Sequence, residues 1–143
     1  YKDSGDRLIE ELENILNENT QIQKVTLIGH SYGGILVSHV LNNWKNSVLL
    51  DVHLIASPLQ GNTSLNTLCG YKPSINLKPM VSLYEWRTQQ HLDSAFKDMP
   101  ENPQNIYIEG SIVNVLPDTY NGHRLGHNWS ISWVAERILK QSS

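Results

Sequence analysis

Ten residues constrain this chain more than any others: Val25-Thr26-Leu27-Ile28-Gly29-His30-Ser31-Tyr32-Gly33-Gly34. Residues of strand character run directly into Gly-x-Ser-x-Gly, and the apolar Ile35-Leu36-Val37 follows. A strand that reverses into a helix within about two residues forces the middle residue into a strained backbone conformation. It also needs small neighbours where strand and helix pass each other. Gly29 and Gly33 are read as those small positions, with Gly34 as a third. Ser31 is then expected at the tip of the turn, its hydroxyl exposed above a helix N-terminus. The same five-residue pattern occurs by chance in loops, but the strand before it and the helical pattern after it argue against chance here.

The 143 residues suit one domain with a sizeable core. Hydrophobic content is 39% and charged content 17%, an ordinary globular balance. A net charge of −3 with no basic run argues against nucleic acid or an anionic membrane surface as partner. No apolar run reaches the ~18 residues of a membrane helix. The opening Tyr1-Lys2-Asp3-Ser4 shows no signal peptide, which favours the cytoplasm slightly, although a first residue other than Met makes this N-terminus a poor guide. The single Cys69 excludes an intrachain disulfide and is read as a small packing residue. The histidines are dispersed and no His-Glu-x-x-His or Cys-x-x-Cys occurs, so neither metal nor cofactor is expected.

Periodicity predicts alternating helices and strands. Leu8, Ile9, Leu12, Ile15 and Leu16 make one stripe of a helix over 6–18, capped by Asp3 or Ser4. Residues 24–29 read as a strand covered on both faces, 32–43 as a helix, and 51–57 as a second buried strand. His39 is read as a packed or half-exposed helical histidine. Residues 61–78 show no clean period, and 79–98 return to helical character behind Pro79. Asn105 to Ser111 reads as a third strand. A last helix covers 128–140, with Glu136 and Lys140 paired one turn apart and Trp129 and Trp133 stacked against the sheet. Parallel strands share their carboxyl edge, so Pro58 to Gly61, after the second strand, is expected to floor or border a pocket beside Ser31. The Asn-x-Ser patterns at Asn62 and Asn128 are read as chance.

Around the Gly-His-Ser-Tyr-Gly-Gly stretch the chain resembles the α/β-hydrolases, whose nucleophile elbow reads this way. The resemblance implies an α/β fold, here a parallel sheet of about three or four strands flanked by helices. It would be an incomplete α/β-hydrolase fold lacking the N-terminal strands, a single domain over 1–143 with a short cap-like insertion around 61–100. It also implies that Ser31 is the nucleophile and that acid and histidine follow it in that order. The histidine sits ahead of the final helix in that family, which favours His127 over His123. The acid follows the strand before the histidine loop. Asp118 is the first candidate and Asn114 the next, while Glu109 lies inside the expected strand. The nine-residue gap from Asp118 to His127 leaves little room for a final strand.

One oxyanion donor would be the backbone N–H of Tyr32, with the other from a loop upstream of the elbow. Only one helix precedes the elbow strand. That strand therefore offers an open apolar edge, to be covered by an upstream segment of the same parent chain or by a partner. The function expected is a serine hydrolase of a carboxylic ester or thioester, lipase- or esterase-like, acting through an acyl-enzyme on a small-molecule or lipid acyl substrate. Leu65, Leu68, Met80, Leu83 and Trp86 are either an apolar acyl pocket or plain core. The alternatives are a non-catalytic binding module or inactive fragment, and an acyltransferase.

Overall fold

A computed structural model describes residues 1–142. Four strands form a wholly parallel sheet in the order β1 (Lys24–His30), β2 (Leu49–Ile55), β3 (Val81–Arg87), β4 (Ile112–Val115). Helices α1 (Lys2–Glu18) and α2 (Gly33–Asn43) cover one face, and α4 (Trp129–Ser142) covers part of the other. A short α3 (Thr63–Leu68) and a two-stranded ribbon, β5 (Thr119–Tyr120) with β6 (His123–Arg124), complete the described chain.

The side-chain alternation of β2 builds both core layers. Leu50, Val52 and Leu54 point to α1 and α2, where they meet Leu16, Ile35, Val37, Val40, Leu41 and Trp44. Ile55, on the opposite face, joins Trp86 from β3, Leu116, and Val134 and Ile138 from α4. The sheet is thus sandwiched, and each fully buried Leu or Ile contributes roughly 1.5–3 kcal/mol. On the α4 side the cover stops short of β1. Lys24, Thr26 and Ile28 remain exposed, so this strand is not covered on both faces as its apolar run suggests. Its outer edge pairs with nothing among the described residues.

Several sequence expectations shift. The first helix begins a turn earlier than residue 6, with Tyr1 at its N-cap in place of Asp3 or Ser4. The second strand spans 49–55 in place of 51–57, because Ala56 turns to φ +49°. Helical character over 79–98 is overturned: residues 81–87 form β3, an inner strand. Its alternation places Val81, Leu83 and Glu85 on one face and Tyr84 and Trp86 on the other, a period of two that the clustered apolar mass conceals. Residues 81–87 of the expected cap are therefore sheet. Residues 105–111 are no strand. Ile106 and Ile108 drop into the core from irregular backbone, and the pairing with β3 begins only at Ile112.

Smaller expectations fare variously. Cys69 is exposed and packs nothing away. His39 is half-buried and bonds Asp6 across 2.7 Å. Glu136 and Lys140 pair at 3.0 Å. Trp133 packs edge-on against Trp86, whereas Trp129 stacks on His123 at 3.8 Å rather than on its helical neighbour. No described helix is long and apolar enough to cross a membrane.

Candidate active site

Ser31 occupies the one residue between β1 and the Tyr32 cap of α2, and its φ is +57°. This is the left-handed region, which costs an L-residue roughly 1–2 kcal/mol. The turn is held rather than tolerated. The Ser31 amide donates to Ile55 O at 2.9 Å, tying the elbow to the end of β2, and Gly34 N donates to Ser31 O to start the helix. The close approach that demands a glycine lies at Gly34, where any Cβ would run into the Ser57 side chain. Gly29 is tight against Leu54 and Val37, but a Cβ at Gly33 would meet open space. The small-residue requirement therefore rests on the first and third glycines, and Gly33 is not one of the close positions.

Two segments beyond the carboxyl edge of the sheet complete the surroundings of Ser31, one bringing His127 to it and the other bringing Asp93 to His127. His127, in the segment ahead of α4, sits with Nε2 at 2.7 Å from Ser31 Oγ. Its Nδ1 lies 3.1 Å from each oxygen of Asp93. A carboxylate only accepts, so Nδ1 carries the proton, Nε2 is the acceptor, and the Ser31 hydroxyl donates to it. Asp93 follows β3 and is wholly buried. Burial alone would raise its carboxyl. Hydrogen bonds from His127 and Thr88, the electrostatic pull of the neighbouring His127 ring and the Ala95 amide outweigh that and hold it below its ordinary value. A buried carboxylate kept ionised beside a histidine that faces a serine hydroxyl is the arrangement that draws a proton from that hydroxyl.

The His127 loop is itself clamped. His127 O accepts from His30 Nε2 at 2.7 Å and from Ser130 Oγ at 2.8 Å. The His30 ring lies 4.8 Å from that of His127, and Phe96, fully buried, closes edge-on from another side at 5.1 Å. Gly126 passes so near the Leu92 carbonyl that a Cβ would fall 2.5 Å from it, which locks the histidine loop against the Asp93 loop.

A family model described as "Putative serine esterase (DUF676)" matches residues 2–73, just over half of the 143. The chain belongs to this serine esterase family. The match contains the elbow and Ser31 and ends before β3, so Asp93 and His127 lie outside it. No curated protein and no solved structure matches the chain.

Within this esterase-family chain, the geometry corrects one expected residue. Asp118 does not reach His127. It is exposed, and its Oδ1 accepts from Gln89 Nε2 at 2.5 Å. Asn114 lies in β4 in register with Trp86, and Glu109 is exposed. His123 sits on β6 beneath Trp129, away from Ser31's hydroxyl, whose partner is His127. Tyr32 caps α2 directly after Ser31, its side chain half exposed. Asp93 and His30 were missed by sequence reasoning. The signal for Asp93 was available in its position after a strand ending at Arg87, but only to a reading that sees Val81–Arg87 as a strand.

The residues expected to form an acyl pocket are core or surface. Leu65, Leu83 and Trp86 are buried in the two core layers, Met80 packs on the first, and Leu68 is 83% exposed. Gln60 and Gly61 border a cavity of about 490 Å³ between Gln60–Ser64 and Met99–Pro103, but none of Ser31, Asp93 and His127 lines it. Among the described residues no group of histidine, cysteine and carboxylate side chains is placed to hold a metal.

Proposed function

We propose that the chain is a serine hydrolase of carboxylic esters or thioesters built on part of an α/β-hydrolase fold. The observation that carries this is the hydrogen-bonded run Ser31–His127–Asp93, with Ser31 at a positive φ at the head of α2. With Asp93 as the acid, the chain order is nucleophile, acid, histidine, and β4 falls between the last two, as the resemblance implies.

Ser31 Oγ attacks the acyl carbon while its proton passes to His127 Nε2. Asp93, accepting from Nδ1, stabilises the imidazolium. The developing oxyanion takes a hydrogen bond from the Tyr32 N–H, reinforced by the N-terminal dipoles of α2. His127 then hands its proton to the departing alkoxide or thiolate, leaving an acyl-enzyme on Ser31. Water loses a proton to His127 as it attacks, and collapse releases the acid and returns the proton to Ser31 Oγ. The open outer edge of β1 is where a segment carrying a second oxyanion donor would run.

A fluorophosphonate probe tests this. It is expected to label the unaltered chain and to fail on Ser31→Ala, with labelling reduced in His127→Ala and retained in His123→Ala. Labelling that survives loss of Ser31, or no labelling at all, sinks the hydrolase reading in favour of a binding module.

A further inference from the structure

Behind Asp93 stands a second layer of polar side chains that the proton transfers above do not use. Thr88 is the first residue after β3 and is 1% exposed. Its Oγ1 lies 2.5 Å from Asp93 Oδ2, and it is also within 3.1 Å of Gln104 Nε2. Gln104, likewise 1% exposed, accepts from the Thr88 amide at 3.0 Å and donates to the Thr88 carbonyl at 3.1 Å. Its amide thus grips the Thr88 backbone from both sides.

We propose that Thr88, locked by Gln104, is a positioning residue that fixes the Asp93 carboxylate and through it the orientation of His127. The donor sense follows from the chemistry of the groups. A carboxamide nitrogen only donates, and Gln104 Nε2 shares its two protons among the Thr88 carbonyl, Thr88 Oγ1 and Asn102 Oδ1, so Thr88 Oγ1 can only accept there and keeps its own proton for Asp93 Oδ2. Oδ1 takes the Ala95 amide at 2.9 Å. Each oxygen therefore has a donor from the protein frame besides His127, and the carboxylate plane cannot turn without breaking one of them. Every hydrogen bond in the run has one direction: Gln104 to Thr88 to Asp93 on one side, and Ser31 to His127 to Asp93 on the other. A short, buried hydroxyl on Oδ2 also removes the need for a water there. Geometry of this kind is held by packed neighbours rather than by the reacting groups themselves.

The proposal rests on the serine-hydrolase reading for its effect on turnover, but not for its effect on His127. Two measurements therefore test it. The first is the downfield proton resonance of His127 Nδ1–H, assigned by its absence from His127→Gln. The second is steady-state hydrolysis of p-nitrophenyl acetate. Thr88→Val, which keeps the shape and removes the hydroxyl, is expected to shift or broaden the resonance. It is also expected to lower kcat by up to about 100-fold with KM nearly constant, the scale of a small misplacement of a reacting group. Thr88→Ser restores the hydroxyl and is expected to recover both. An unmoved resonance in folded Thr88→Val overturns the proposal, as does a moved resonance with undiminished kcat. If Thr88→Val does not fold, Gln104→Met leaves the hydroxyl but frees its rotation and is read by the same two measurements. Absence of hydrolysis by the unaltered chain counts against the hydrolase reading alone, and the resonance still decides whether Thr88 positions His127.

Discussion

Replacing Ser31 by glycine and by alanine separates the strain of the elbow from its chemistry. Both variants lose the hydroxyl, and with it a hydrogen bond to His127 Nε2 contributing about 1 kcal/mol. Alanine keeps a Cβ at φ +57° and so keeps a left-handed penalty of roughly 1–2 kcal/mol. Glycine removes that penalty but gives the unfolded chain more freedom, a loss of about 0.4–1 kcal/mol. The balance favours Ser31→Gly over Ser31→Ala by roughly 0.5–1 kcal/mol. Ser31→Gly should then lie near the unaltered protein, with Ser31→Ala about 1 kcal/mol below it. For a chain of this size the difference between the variants is about 2–4 °C in Tm. Urea unfolding followed by circular dichroism, with calorimetry alongside, measures it. Hydrolysis should be lost in both. A glycine variant less stable than the alanine variant would refute the reasoning, since it would mean that the positive φ stores no strain.

Four further outcomes are expected. Asp93→Asn should lower kcat/KM by about 10³- to 10⁴-fold while Asp118→Asn leaves it within about twofold, read by ester hydrolysis. Gly34→Ala should cost about 1–3 kcal/mol against Ser57, whereas Gly33→Ala, opening onto free space, should be neutral or mildly stabilising in the same unfolding assay. Because the Asp93 carboxyl is held below its ordinary value, its contribution is present above about pH 4 and lost as pH falls through the lowered value. His127→Leu removes the strongest lowering partner, so acid unfolding should move to higher pH. Burial, against the attraction of Asp51, holds His53 below its ordinary value, so the unfolded chain takes up a proton that the fold refuses. Stability should decline as pH drops below about 6.5, and His53→Gln should flatten that slope in pH-dependent denaturation.

The strand–turn–helix at Ser31 was legible because three independent signals agreed over ten residues: a run of strand formers, glycines where strand and helix cross, and an apolar helical face after them. The placement of His127 beside Ser31 was legible only through the resemblance, which puts a histidine just ahead of the final helix. The acid was not. Val-Ser-Leu-Tyr-Glu-Trp-Arg carries Glu85 and Arg87 in what becomes an inner strand, and such polar content reads as a helix surface. In the fold the two charges answer each other and their neighbours: Arg87 Nη2 donates to Glu85 and to Ile106 O, and Ser111 donates to the other Glu85 oxygen. Burial of a charged pair is a tertiary event that no local pattern announces.

A strand that reads as a helix displaces the expected carboxylate by 25 residues, from Asp93 to Asp118. A helix over 79–98 leaves 105–111 as the strand before the histidine, after which the first candidate acid is Asp118. With β3 in place, the carboxyl edge of a parallel sheet dictates the rest. Ser31 follows β1, Ala56 and Ser57 follow β2, Thr88 and Asp93 follow β3, and the His127 segment lies beyond β4. Ser31 and His127, 96 residues apart, meet because the segments after β1 and β4 leave the same carboxyl edge, although these are the two outer strands of the sheet. Two non-glycine residues, Ser31 and Ala56, take a positive φ at adjacent strand ends, and the Ser31 amide bonds the Ile55 carbonyl between them. Backbone strain is thus concentrated at one edge of an otherwise regular sheet. It marks the same place as the buried carboxylate, the tautomer-fixed histidine and the hydroxyl that faces it.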